Sequence, residues 1–498
     1  MVTTAVSKLF KSYKKMEKLA KKSIDMTEGP LFGKILLFVL PMMATNLLQV
    51  AYNAADMMIV SLSNEANAVG AIGTTGAFIN LVLNIFIGFA MGANVIIARH
   101  LGARDGDGAS RAVHTSLILA VALGTISGAI GLCISRPVLT LMGAEENLLD
   151  LALVYTRVYF LGTPFVALTN YAVAIFRSKG DTRTPLFVLS AAGLVNVGFN
   201  LLFVLVFGMS VEGVALATVV SNVLSAVVLL FVLSRDGGAC RFSFKKLRLD
   251  KRSFLEILRI GLPAGIQGAL FSLSNMIIQS SILRVNNILA PGSEYEPVVE
   301  GNAAVANLEG FLYTATNSVC QASVAFTSQN VGAGKYGRIG RVMLNCYAIT
   351  TVVAVVGSLL LFGLNHPLLA LYGISEGEGL GQIAYETAMA KIYLEGMTYF
   401  LLAFMEIGSG VLRGLGRSMT STVIALVGSC LLRIVWIFTV FEHFLTVESI
   451  YISYPVSWAL TGLVYLIFAL MILRRESEKH RWLTGEVKQD TKDPVSTC

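Results

Sequence analysis

The chain reads as an all-α protein that crosses a membrane about twelve times, in two pseudo-symmetric six-helix lobes. Three observations predict this: long apolar runs almost free of charge, a lopsided distribution of Lys and Arg, and residue spacings in the first half that recur in the second. Hydrophobic residues make up 55% of the 498 positions and charged residues 14%, where soluble domains carry roughly 25% charged residues. A spanning helix needs about 20 apolar residues. Runs of that kind fall near 33–60, 66–98, 112–135, 150–176, 185–207 and 211–234, then near 254–284, 301–329, 341–365, 385–412, 418–441 and 446–474. Gly, Ala and Ser are frequent within them, which lets helices approach closely in lipid.

Basic residues predict the orientation. Cytoplasmic loops carry an excess of Lys and Arg. With the N-terminus inside, the tails, the connections after even-numbered spans, Lys34 and Arg259 take up all but five of the 38 Lys and Arg residues. The exceptions are Arg136, Arg157, Arg284, Lys391 and Arg433. Both termini are therefore expected in the cytoplasm. Residues 1–30 read as a basic tail, with Leu9, Phe10, Met16 and Leu19 able to lie on an anionic leaflet. No cleavable signal peptide is expected. The expected layout is an N-terminal lobe over 31–234, a basic linker over 235–252, a C-terminal lobe over 253–475 and a tail over 476–498.

The halves look like repeats. Leu40-Pro41 opens the first span and Leu262-Pro263 the seventh. Gly102-Ala103 precedes Arg111 at the same distance as Gly332-Ala333 precedes Arg341. Arg177, Gly180 and Thr184 match Arg413, Gly416 and Thr420 in spacing. Six spans is an even number, so the halves share one orientation, a parallel repeat of the kind from which many secondary transporters are built.

These residues resemble the multidrug and toxic compound extrusion (MATE) family, of the MOP flippase superfamily. The carriers are Pro41, Gln49, Asn53 and Asp56 in the first span, FRSKGDTRTP at 176–185, and VLRGLGRS at 411–418. Ser178 stands where the family usually has Gly. The resemblance implies two lobes forming a V that opens to either side in turn. It implies export of small organic, often cationic, compounds across the cell membrane by a monomer, coupled to entry of H⁺ or Na⁺. Positions matching the family's N-lobe ion site are Asp56, Asn196, Asn200 and Thr218; many members have Asp where Asn200 stands, so the coupling ion stays open. The carboxylates of some sodium-coupled members in the seventh and tenth spans have no counterpart, and Phe271 and Leu402 stand nearby.

The residues alone point the same way. An ionisable side chain within the hydrocarbon costs about 2.5–3.5 kcal/mol on insertion scales, which makes each one a functional candidate. Asp56 lies late in the first span with Asn53 one turn before it. Asn196 and Asn200 share a face of the fifth, and Thr218 lies on the sixth. One carboxylate among neutral oxygens suits a proton or Na⁺; the structural alternative is a helix-end cap. In the second half, Glu309, Glu406 and Arg433 are the buried candidates, and Arg433 is expected to pair with one of the two acids. Glu395, eleven residues before Glu406, reads as a snorkelling residue on the same helix face. Gln49, Tyr52, Phe165, Met42, Met58 and Met405 could line an adaptable apolar cavity, although such residues more often face core or lipid. Pro41, Pro164, Pro263 and Pro455 allow bending.

Other classes fit poorly. The net charge of +7 follows membrane topology and not a folded basic domain, so nucleic acid is not an expected partner. The five His and six Cys residues are scattered without ligand spacing, so neither an enzyme nor a resident metal or cofactor is expected. No P-loop pattern occurs. A receptor or scaffold would not need repeated halves. A flippase for lipid-linked precursors is the remaining alternative, and it calls for a cationic cavity.

Overall fold

The computed structural model describes residues 23–63, 65, 68–141, 146–293 and 295–483, and among them there is no β-strand. Twelve helical segments follow one another: α1 Leu31–Val60, α2 Ala68–Gly102, α3 Gly106–Leu141, α4 Glu146–Ser178, α5 Arg183–Val206, α6 Val211–Ser234, α7 Lys251–Leu289, α8 Pro297–Gly332, α9 Tyr336–Gly363, α10 Leu380–Leu394 and Tyr399–Gly414, α11 Ser418–Phe444, and α12 Val447–Leu483. Ten are long and apolar enough to cross a membrane. The other two are α8, rich in polar residues, and α10, split by a tight turn at Gly396–Thr398. Most helices overrun their apolar runs because the backbone stays hydrogen-bonded into the polar boundary, where the side chains change character.

The lobes repeat each other in packing. In the first, α2 and α3 pack on α4, α4 on α6, and α1 on α5; in the second, α8 and α9 pack on α10, α10 on α12, and α7 on α11. The repeat extends to backbone conformation. Gly180 and Gly416 both adopt positive φ, as do Arg104 and Gly334, each two residues past the matched Gly102 and Gly332.

Two helices cross from one lobe to the other. Leu31, Ile35, Phe38, Val39 and Met42 of α1 are buried in the core of the C-terminal lobe, whereas Ile59 and Val60 belong to the N-terminal core. Ile257, Ile260 and Ala264 of α7 join the N-terminal core, and Ile278, Ile282 and Val285 the C-terminal one. Pro41 and Pro263 sit at these crossovers. Each removes one backbone hydrogen bond where its helix changes partners.

Glycines set the interface between lobes. Gly88 and Gly92 of α2 face Gly261 and Gly265 of α7, two small-xxx-small pairs. A Cβ on Gly88 would lie 2.3 Å from the Gly265 nitrogen, and one on Gly92 would lie 2.5 Å from the Ile257 oxygen. Without a hydrophobic drive between helices in lipid, such close backbone approach supplies the van der Waals contact.

At the end that carries the 235–250 loop, the lobes are shut. A Cβ on Gly102 would fall 2.0 Å from the Gln329 carbonyl oxygen, and one on Gly332 would fall 2.0 Å from that of Arg99. Arg99 donates to the Gly414 carbonyl at 3.1 Å and Gln329 to that of Ser178 at 2.7 Å. The segment before α1 straps this end. Ile24 N–H donates to the Gly180 carbonyl at 3.1 Å, and the Asn330 amide donates to Met26 at 3.1 Å. The stretch 1–22, with its basic residues and Leu9, Phe10, Met16 and Leu19, lies outside the described residues, as does 484–498.

The linker is ordered by a cap. Asp250 accepts from Ser253 N–H at 2.8 Å and from Ser253 Oγ at 2.7 Å, while its own N–H donates to Thr115 Oγ1 at 3.0 Å. The Ser253 backbone bond, then its hydroxyl, hold the Asp250 carboxyl below the usual carboxylate range. A depressed pKa contributes stability that is present above the unfolded value of about 3.9 and lost as pH falls through the folded one. Asp250→Ala is therefore expected to cost about 1 kcal/mol at neutral pH. Thermal unfolding in detergent should show a deficit at pH 7 that narrows toward pH 3.

Candidate functional site

In the N-terminal lobe, the structure gathers three helices around Asp56. Asn200 donates its amide to the Asp56 carboxylate. The Asn196 amide, oriented so that both its ends are satisfied, donates to the same oxygen at 2.8 Å and accepts from the Thr218 N–H at 3.3 Å. Thr218 Oγ1 donates to the Val214 carbonyl at 3.0 Å, which leaves its lone pairs for another donor or a cation. Asn200 is fully buried, and its Oδ1 has no partner. A buried carbonyl oxygen without a donor, beside a carboxylate, fits a cation as cargo. Immediately after Asn200 and Leu201, α5 widens into a π-helical turn at Leu202–Val206, a local distortion often found at functional sites.

The approach of α1 to α5 rests on one glycine. The Tyr52 ring lies where a Cβ on Gly193 would be, and its hydroxyl donates to the Ser190 carbonyl at 3.2 Å. Asn53 and Gln49 are exposed and join neither contact.

A separate cavity with charged side chains on its wall lies elsewhere. It has a volume of about 690 Å³ and is lined by α2, α7, α8, α10, α11 and α12, within the usual range of small-molecule sites. Glu309, Glu406 and Arg433 all line it, as do Phe271, Leu402 and Met405. Gln49, Tyr52, Met58 and Phe165 do not. Met58 is 70% and Phe165 37% exposed, while Met42 is core. This cavity is made by the second lobe and α2, and the first-lobe residues expected to line one lie outside it.

The charge pairing also differs from expectation. Arg433 contacts neither Glu309 nor Glu406. Its Nε donates to Ser457 Oγ at 2.8 Å, and its guanidinium lies 4.0 Å from the Tyr454 ring centre and 5.8 Å from that of Trp458. Glu309 pairs instead with Lys391, Nζ to Oε2 at 3.6 Å. Lys391 also donates to Asn302 Oδ1 at 3.1 Å and lies 5.8 Å from the Tyr451 ring centre. Glu406 accepts weakly from Asn317 at 3.5 Å. One face of α10 further on, Arg413 donates to Gln267 Oε1 at 2.9 Å and to the Met91 sulfur at 3.4 Å.

Glu395 corrects the sequence reading most. It does not snorkel: it is 3% exposed and lines the cavity. The turn at Gly396–Thr398 breaks the helix after it, so no continuous face joins it to Glu406. Lys391 was overlooked as a site residue. The signal was present, a Lys four residues before a Glu inside an apolar run, one turn apart on a helix.

Two matched six-helix lobes, shut at one end around a charged cavity, define a polytopic membrane transporter. The MatE family model matches residues 41–202 and 263–439, and the chain belongs to this family of multidrug-efflux transporters. Among curated relatives, the probable multidrug resistance protein YoeA of Bacillus subtilis is 26% identical over 86% of this chain and 91% of its own length. The multidrug export protein MepA of Staphylococcus aureus is 23% identical over 82% of this chain and 88% of its own. A MOP superfamily transporter from Pyrococcus furiosus superposes with a TM-score of 0.82 at 20% identity, covering 91% of this chain and 99% of that one. An outward-facing multidrug resistance MATE transporter superposes with a TM-score of 0.82 at 20% identity over 92% of this chain and 99% of its own. These superpositions establish the fold.

Proposed function

We propose that the protein is a secondary active antiporter that exports small organic, often cationic, compounds by alternating access, driven by H⁺ or Na⁺ entering through Asp56. The observation that carries this reading is the half-buried Asp56 carboxylate, tied to α5 by Asn196 and Asn200, in a protein whose lobes are shut at one end. A cation reaching Asp56 alters the hydrogen bonds that join α1 to α5. Because α1 also packs into the opposite lobe, that change reaches the interface between lobes. A charge moving inward gains about 2.3 kcal/mol per 100 mV, enough to drive a weakly bound substrate uphill.

In this reading the protein is a monomer in the cell membrane, with both termini in the cytoplasm and the shut end facing it. It acts without a cofactor, as a carrier and not an enzyme, and has no nucleic-acid partner. The flippase alternative needs a cavity of net positive charge. Here the cavity cations Lys391, Arg413 and Arg433 are matched by Glu309, Glu395 and Glu406, and no observation favours it.

Ethidium efflux from a pump-deficient bacterial host tests the proposal, with wild type and Asp56→Asn compared at equal membrane expression. Efflux in the wild type that the Asn variant lacks is the expected result. Equal efflux from both would move the coupling to the second lobe. Efflux from neither would sink the export reading.

A further inference from the structure

We propose that Tyr454, Trp458 and the carboxylate of Glu395 form a subsite for a delocalised organic cation, and that Arg433 fills it as an internal ligand until substrate displaces it. The inference rests on the reading of this cavity as the path of an exported compound.

The aromatic walls form a corner. Tyr454 and Trp458 meet edge to face with ring centres 5.7 Å apart, and Tyr399 braces Trp458 from behind at 5.6 Å. Such faces attract cations through the ring quadrupole, most strongly when water is excluded. The cation present is Arg433, 4% exposed, lying over Tyr454. A guanidinium has five N–H donors, yet among the described residues Arg433 makes one side-chain hydrogen bond, to Ser457, and no ion pair. Glu395 supplies the second, independent observation. Its carboxylate is buried on the cavity wall and, among the described residues, accepts no hydrogen bond and leaves Oε1 without a partner. A buried carboxylate is normally paired. Lys391 faces it from one turn earlier on α10, but its contacts go to Glu309 at 3.6 Å and Asn302 at 3.1 Å. The cavity thus holds an acid that, among the described residues, has neither a salt bridge nor a hydrogen-bond donor, next to an aromatic corner that is occupied by a loosely tethered cation.

The helix that bears Arg433 is built to shift. A short α-helical stretch, Leu432–Trp436, lies between π-helical segments at Leu426–Leu431 and Ile437–Phe441. A π-turn can migrate along a helix and rotate the residues between, because it trades one set of backbone bonds for another. Rotation would carry the guanidinium off Tyr454 and expose the corner with Glu395 beside it.

Tetraphenylphosphonium binding to purified protein in nanodiscs tests this in three chains. Arg433→Gln empties the corner beside Glu395, and should bind the probe about tenfold more tightly than wild type. Adding Glu395→Gln to that variant should remove the gain. Unchanged or weaker binding in Arg433→Gln would overturn the proposal, as would a gain that survives the loss of Glu395. Should Arg433→Gln not fold, Tyr454→Leu with Arg433 in place carries the test: affinity should fall about tenfold, and an unchanged value overturns the subsite. Because binding is read on purified protein, a gain in binding without cellular efflux counts against export and leaves the subsite standing. Efflux without the gain overturns the subsite alone.

Discussion

Lys391→Met is expected to destabilise the protein by about 3–5 kcal/mol, the usual cost of removing one partner from a buried ion pair. Lys391 is 6% exposed and lies in the last turn of the first stretch of α10. It is the cation that meets Glu309 at 3.6 Å, and it also donates to Asn302. Its loss leaves Glu309 and Glu395 as two buried acids facing one cavity with no ammonium between them. The midpoint of thermal unfolding in detergent should drop by several degrees. Neutralising the abandoned acid in the same chain, as Lys391→Met with Glu309→Gln, should recover most of the loss. That recovery separates a charge effect from lost packing of the Lys stem. A single variant as stable as wild type, or a double variant no better than the single, would contradict the pairing.

The second large effect concerns closure. Gly332→Val should hold the lobes apart at the shut end and reduce efflux to background at normal expression. The added carbons would fall on the Arg99 carbonyl, a backbone atom that no rotamer change can move. Overpacking of this kind costs about 1–3 kcal/mol, which shifts a two-state equilibrium by about 5–150-fold. Gly102→Val should do the same against Gln329, because the contact repeats across the pseudo-two-fold. A cysteine placed at Asn275, on the cavity wall, should become reactive to an impermeant maleimide added at the basic end. Labelling and efflux that match wild type would show that this contact does not govern closure.

Much of the fold was legible in the sequence because bilayer thickness imposes a length on every apolar run. The first and sixth runs, 33–60 and 211–234, lie against helices Leu31–Val60 and Val211–Ser234. Repeated spacings marked positions that share a backbone conformation, such as Gly180 and Gly416. The N-terminal trio Asp56, Asn196 and Asn200 does converge. The second lobe resisted the same reading for physical reasons. Lys391 meets Glu309 from another helix, 82 residues away along the chain, and spacing on one helix carries no information about such a partner. The break at Gly396 turned a presumed continuous face into two short helices. Arg433 found aromatic rings and a hydroxyl instead of an acid, a choice set by tertiary packing and invisible to charge counting.

The central claim, that ion entry through Asp56 drives export, is tested most directly in proteoliposomes. Purified wild type and Asp56→Asn would be reconstituted, loaded with ethidium, and given an imposed proton or sodium gradient in turn. The account predicts that one of the two gradients drives dye movement against its concentration in the wild type, and that Asp56→Asn retains only downhill exchange. Uphill movement of equal rate in Asp56→Asn would contradict it.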